Sequence, residues 1–109
     1  MAAAHLERLG YAILRRNYRS PGGEIDLVAM DRGTLVFVEV KTMRSRDFGL
    51  PEAWVDERKQ RRIGRVAQAY LQETAGEDSD CRFDVIGIDA SRKQPEIHHL
   101  KDAFWLESE

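Results

Sequence analysis

Cysteine is almost missing from this chain of 109 residues: Cys81 stands alone, so no internal disulfide can hold the fold. A chain built without disulfides suits a reducing compartment, and the sequence is read as cytoplasmic. Long apolar runs are missing as well. No stretch approaches the roughly 20 residues needed to span a bilayer, so no membrane partner is expected. The opening "MAAAHLERLGY" is a short amphipathic pattern and lacks the apolar run of a signal peptide. Glycine-rich phosphate loops of the G-x-G-x-x-G kind do not occur, which argues against a nucleotide cofactor. Histidine is scarce. His98 and His99 are neighbours that point to opposite faces of a strand, and His5 is far off in sequence, so a histidine metal centre is not expected. Repeats and linkers are absent too, and residues 1–109 are read as one domain with one core.

What the chain does have is charge, unevenly spread. Residues 1–72 carry 13 Lys and Arg against 9 Asp and Glu, a net of +4; residues 73–109 carry 4 against 10, a net of -6. The basic excess gathers at Arg15, Arg16 and Arg19, at Lys41, Arg44 and Arg46, and from Arg58 to Arg65. A basic face on an acidic chain suits a polyanion partner. A merely solvated surface accounts for the composition equally well.

Hydrophobic periodicity predicts the elements. A helix over 2–9 ends at Gly10, and Tyr11 to Arg19 form a first strand. The turn "SPGG" leads to strands at 24–30 and 34–41, separated by "DRG". Residues 42–54 are read as a polar loop. The helix over 55–74 has the clearest signal, with Ile63, Val66, Ala67, Tyr70 and Leu71 on one stripe. Arg58, Lys59, Arg61, Arg62 and Arg65 cover the rest of its first half, where the macrodipole disfavours cations by some tenths of a kcal/mol each. Strands at 81–89 and 96–100 complete the chain. The fold class is α/β: an αβββαβ core with a mixed central sheet flanked by helices.

Four charges intrude on the central hairpin. Glu24 and Asp26 share one strand face, and so do Glu39 and Lys41. If paired positions sum to 65, Asp26 lies opposite Glu39 and Glu24 opposite Lys41. That register leaves Ile25, Leu27, Ala29, Val36, Val38 and Val40 as a wholly apolar face; a sum of 64 leaves none. The odd register is therefore expected. It gathers Glu24, Asp26 and Glu39 at one end of a buried sheet, where a single lysine neutralises only part of their repulsion. A divalent cation would resolve the imbalance, and oxygen ligands suit Mg²⁺ or Mn²⁺. A buried ion-pair cluster, Glu39 with Lys41 and Glu24 with an arginine, is the structural alternative.

Asp26, twelve intervening residues, then Glu39-Val40-Lys41 resembles the core motif of the PD-(D/E)XK nucleases, whose restriction-endonuclease-like fold has the same element order. The match is closer to the YraN-type family of small, nuclease-like bacterial proteins. It is carried by "GYAILRRNYRSPGGEIDLVA", "LVFVEVKT", "VDERKQRRIGRVAQAYL" and "CRFDVIGI". That family is in turn similar to archaeal Holliday-junction resolvases, so the resemblance also admits a homodimer. It implies Asp26 and Glu39 as metal ligands, Lys41 as the catalytic lysine and Glu24 as an assisting acid. Lys59 falls where relatives carry a phosphate-contacting lysine; the role of Arg82 and Asp84 is not settled by the resemblance. Relatives carry one more acid at the start of the first helix, at a place that falls before Met1. Met43 stands where many of them have a basic residue.

The expected function is metal-dependent cleavage of nucleic acid, structured or damaged DNA in particular. Arg44, Arg58, Lys59, Arg61 and Arg62 would hold backbone phosphates. The alternative is a nuclease-fold module that binds DNA within a repair or recombination assembly and does not turn over. Trp54 and Trp105 are read as packing residues before base-stacking ones, and Cys81 as a small core residue.

Overall fold

A computed structural model describes residues 1–44, 49, 54–76, 78–91 and 93–104. The order is α1 (Ala2–Arg8), β1 (Ala12–Ser20), β2 (Gly23–Asp31), β3 (Thr34–Met43), α2 (Glu57–Glu73), β4 (Cys81–Asp89) and β5 (Glu96–Leu100). The strands form one sheet in chain order, β1-β2-β3-β4-β5. Every pairing is antiparallel except β3 with β4. A parallel pair needs a crossover, and α2 supplies it. The α/β class, the mixed sheet and the flanking helices agree with the sequence reading. No helix among the described residues is long and apolar enough to cross a membrane.

Local chemistry sets the element ends. Gly10 takes φ 92°, and its N–H bonds Glu7 O while Tyr11 N–H bonds Leu6 O. That closes α1 with a left-handed glycine and satisfies two orphan carbonyls. A helix of seven residues cannot stand alone; Leu6, fully buried, pins it to the sheet. Asp56 begins α2 by accepting a hydrogen bond from Lys59 N–H at 2.8 Å. The cap falls after Val55, so Val55 lies in the core and not in the expected first turn, and Trp54, expected in the loop, is buried with it. The strand β3 runs on to Met43, two residues into the expected loop. Most of that loop, with Arg46, lies outside the described residues, and so does Trp105.

The hairpin register is the odd one: Leu27 lies opposite Val38 and Val28 opposite Phe37. Leu27, Ala29, Val36 and Val38 pack under α1 with Leu6, Ile86 and Ile88. Val28, Leu35 and Phe37 pack under α2 with Ile63, Val66 and Tyr70. One residue departs from the expected face. Ile25 joins Tyr18 and Val28 on the α2 side instead of following Leu27. The cause is a break in the ladder: the β2–β3 pairs end at Leu27–Val38, and Val40 N–H is taken by the Asp26 carboxylate at 2.7 Å. On the other side, Asn17 in β1 adopts φ 52°, a left-handed conformation that asparagine tolerates.

The α1 face carries a buried polar hub. Asp84, 1% exposed, receives Arg82 on both oxygens, at 2.9 and 3.1 Å. It also receives Asp102 N–H at 3.0 Å and His99 Nε2 at 2.8 Å. Arg82 continues to Asp31 at 3.1 Å and to the Tyr11 hydroxyl at 2.7 Å. His5, from α1, meets His99 Nδ1 at 3.1 Å. The hub thus ties α1 and strands β2, β4 and β5 together. Burial alone would raise the Asp84 carboxyl; hydrogen bonds from His99, Arg82 and the Asp102 amide outweigh it and hold the pKa below the ordinary value.

Asp84→Ala strips the counter-charge from Arg82 and is expected to cost about 3–5 kcal/mol, as breaking a buried pair does. Urea unfolding at neutral pH measures it, and a loss below about 1 kcal/mol would show the hub to be dispensable. The pH sign follows from the depressed pKa. The Asp84 contribution is complete above the unfolded-state value of about 4 and fades as pH falls through the folded one.

Candidate metal and nucleic-acid site

The ladder break places the site. With β2 and β3 no longer paired by backbone bonds beyond Leu27–Val38, Asp26 reaches across to the end of β3. Its carboxylate and that of Glu39 become hydrogen-bonding neighbours. Glu39 is only 7% exposed, whereas Asp26 is half-buried. Burial, and then the Asp26 carboxylate beside it, push the Glu39 pKa up to about 7. The Lys59 ammonium opposes that rise from 2.5 Å but stands on a half-exposed side chain.

Lys41 follows two residues after Glu39 on β3, at the exposed end of the strand. Its ammonium donates to the Trp54 carbonyl at 3.0 Å and not to Glu39. Trp54 itself is buried in the α2-side core. Gln60 bonds Val55 O at 2.8 Å, and the Asp56 cap follows directly. The entry to α2 therefore serves both lysines: its carbonyl holds Lys41, and its first turn carries Lys59.

Glu24 is not gathered with the other acids. It pairs with Arg19 on β1 at 3.2 Å, in the arginine arrangement of the structural alternative. Among the described residues, no three His, Cys, Asp or Glu side chains stand close enough to hold one ion. The expected cluster of three acids contracts to the pair Asp26–Glu39. The reason is again the ladder break, since Glu24 stays paired with Arg19 in β1 while β3 leaves the hairpin. The pair still fits a magnesium-type cation, which binds through one or two carboxylates and keeps its other positions for water or phosphate.

Beside the site, Arg58, Lys59, Arg61, Arg62 and Arg65 lie exposed along α2. Arg61 is the weakest candidate of these, since it faces Glu57 one turn back at 3.8 Å. Arg62 packs over the β1–β2 turn: a Cβ on Gly23, which has φ 142°, would lie 3.0 Å from the Arg62 Cδ. Glycine there brings the cationic helix against the hairpin that carries Asp26. Arg44 is exposed just past the end of β3.

Two features escaped the sequence reading. The His5–His99–Asp84 chain joins residues far apart in sequence, and no spacing within one element signals it. The second is the Trp54 carbonyl, a backbone group that leaves no sequence signal. Cys81 corrects an expectation: it is exposed at the start of β4, with its thiol against Ser79 O.

Comparison with known proteins matches residues 1–88 to the uncharacterised protein family UPF0102. A UPF0102 protein of Chlorobium chlorochromatii is 50% identical over 113 residues, covering 98% of this chain and 87% of the relative. One from Geobacter sulfurreducens is 50% identical over 107 residues, covering 97% and 84%. One from Syntrophus aciditrophicus is 46% identical over 106 residues, with the same coverage. The chain belongs to the UPF0102 family.

In the metal-free protein, the Glu39 side-chain carbon should titrate near pH 7 by NMR, and Asp26→Asn should move that midpoint down. A midpoint near 4.5 in both proteins would mean that the two acids do not interact. The stability sign is opposite to that of Asp84. Because the folded pKa is raised, the Glu39 contribution is complete below the unfolded value and is lost as pH rises through about 7.

Proposed function

We propose that this protein is a metal-dependent phosphodiesterase of the PD-(D/E)XK class, acting in the cytoplasm on structured or damaged DNA. The single observation that carries the reading is the Asp26–Glu39 pair at a sheet end, Glu39 buried and Asp26 half-buried, with Lys59 on Glu39 and Lys41 two residues along the same strand.

Asp26 and Glu39 would hold Mg²⁺ or Mn²⁺, which when bound supplies Lewis acidity toward a phosphodiester and its attacking water. The remaining work falls to the chain. Val40 N–H orients the Asp26 carboxylate. Lys41, held by the Trp54 carbonyl, presents a fixed ammonium to charge developing on the phosphoryl oxygens. Arg58, Arg62 and Arg44 would bind backbone phosphates on either side. Among the described residues no element presents a row of side chains suited to base edges, so shape would be recognised before sequence. Glu24 supports the turn through Arg19 and has no place in the chemistry. A homodimer would double this surface.

The second reading, a DNA-binding module without turnover, is favoured by one observation: a third acidic ligand is missing among the described residues. Lys41→Ala separates the two. The enzyme reading predicts a folded variant that binds duplex or branched DNA within a few-fold of wild type and has lost cleavage, since a transition-state contact lowers kcat and kcat/KM together. Wild-type cleavage should also vanish in EDTA. A wild type that cleaves no duplex, flap, junction or single strand in Mg²⁺ or Mn²⁺ would favour the module.

Under either reading, affinity should fall with salt at a slope of roughly -0.9 per phosphate neutralised on duplex DNA. Replacing Arg58, Arg61 and Arg62 with Gln should flatten that slope with little sequence dependence. An unchanged slope would leave the helix a solvated face.

A further inference from the structure

Lys59 differs from every other cation around the site. It alone among the described lysines and arginines is bonded to Glu39, through Oε2. Its backbone is fixed by the Asp56 cap, yet its side chain is 48% exposed. A long, half-solvated chain anchored at its base can swing away without disturbing the helix. It is also a lysine in a run of arginines, at "RKQRR". An ammonium meets a carboxylate as a single point charge, whereas a guanidinium locks onto it with two parallel bonds. The residue at this position is the one whose bond to Glu39 is easiest to undo.

We infer that the Lys59 ammonium is the resident counter-ion of the Asp26–Glu39 pair, and that a divalent cation loads the site by displacing it. The inference rests on the metal-site reading above and adds what sets the affinity of that site. Metal and lysine satisfy the same negative charge, so each binds at the expense of the other. The lysine keeps the acid pair tolerable when metal is scarce, and it makes loading dependent on metal concentration. Lys41 has no share in this competition, since its ammonium is held by the Trp54 carbonyl.

Calorimetric titration with Mn²⁺, without nucleic acid, tests it on wild type, Lys59→Met and Lys59→Arg. Lys59→Met should bind Mn²⁺ about tenfold more tightly than wild type, the effect of removing one charge-assisted bond of modest strength. Lys59→Arg should bind more weakly than wild type, because the bidentate pair is harder to displace. In melting curves, Lys59→Met should be the less stable protein without metal and should gain more from Mn²⁺. Both variants keep the backbone cap at Asp56, and their far-UV spectra verify folding. Binding by Lys59→Met that equals wild type, or is weaker, overturns the displacement and leaves the metal site standing. Absence of Mn²⁺ binding in all three proteins overturns the metal site and the inference with it.

Discussion

Two carboxylates on neighbouring strands repel each other, and the end of β3 is arranged around that repulsion. Asp26 can stand beside Glu39 only because the backbone ladder stops at Leu27–Val38 and the Asp26 side chain takes the next N–H, that of Val40. The same break turns Ile25 toward α2 and leaves Glu24 with β1 and Arg19. The helix then has to arrive with a cation. Asp56 caps it so that Lys59 sits in its first turn, within reach of Glu39. Of the cations that the macrodipole disfavours at this helix end, Lys59 is the one bonded to the acid pair.

The opposite face solves a similar problem in a closed way. Asp84 is as buried as Glu39, but Arg82, His99 and a backbone amide satisfy it fully. Its pKa is held down, whereas that of Glu39 is pushed up. Among the described residues, no buried side-chain nitrogen or oxygen lacks a partner. Asp84 is saturated by its own chain, whereas Glu39 meets a second carboxylate and a half-exposed lysine. That contrast separates a closed hub from the acid pair on which the proposed site rests.

Much of this was legible in the sequence, and the reasons are local. The register of the central hairpin could be read because only one pairing leaves an apolar face, and the period of two admits no compromise. The second helix was legible from its stripe from Ile63 to Tyr70. Contacts between elements were not. Nothing in the alternation of β2 signals that the ladder fails at Asp26, because the cause is a side chain replacing a backbone acceptor. Strand spacing offered Lys41 as the partner of Glu39 only in the structural alternative, whereas the bonded cation, Lys59, arrives from a helix that begins well beyond it in the chain. Likewise His5 meets His99 only because α1 packs on the sheet face to which β5 turns His99.

The central claim is that Asp26 and Glu39 form a cation site, and crystals grown or soaked with Mn²⁺ test it directly. The account predicts an anomalous scattering peak at the end of β3, within coordinating distance of both carboxylates, that disappears in Asp26→Asn. Crystals that diffract well, are saturated with Mn²⁺ and show no peak there, or show one that persists in the variant, would contradict it.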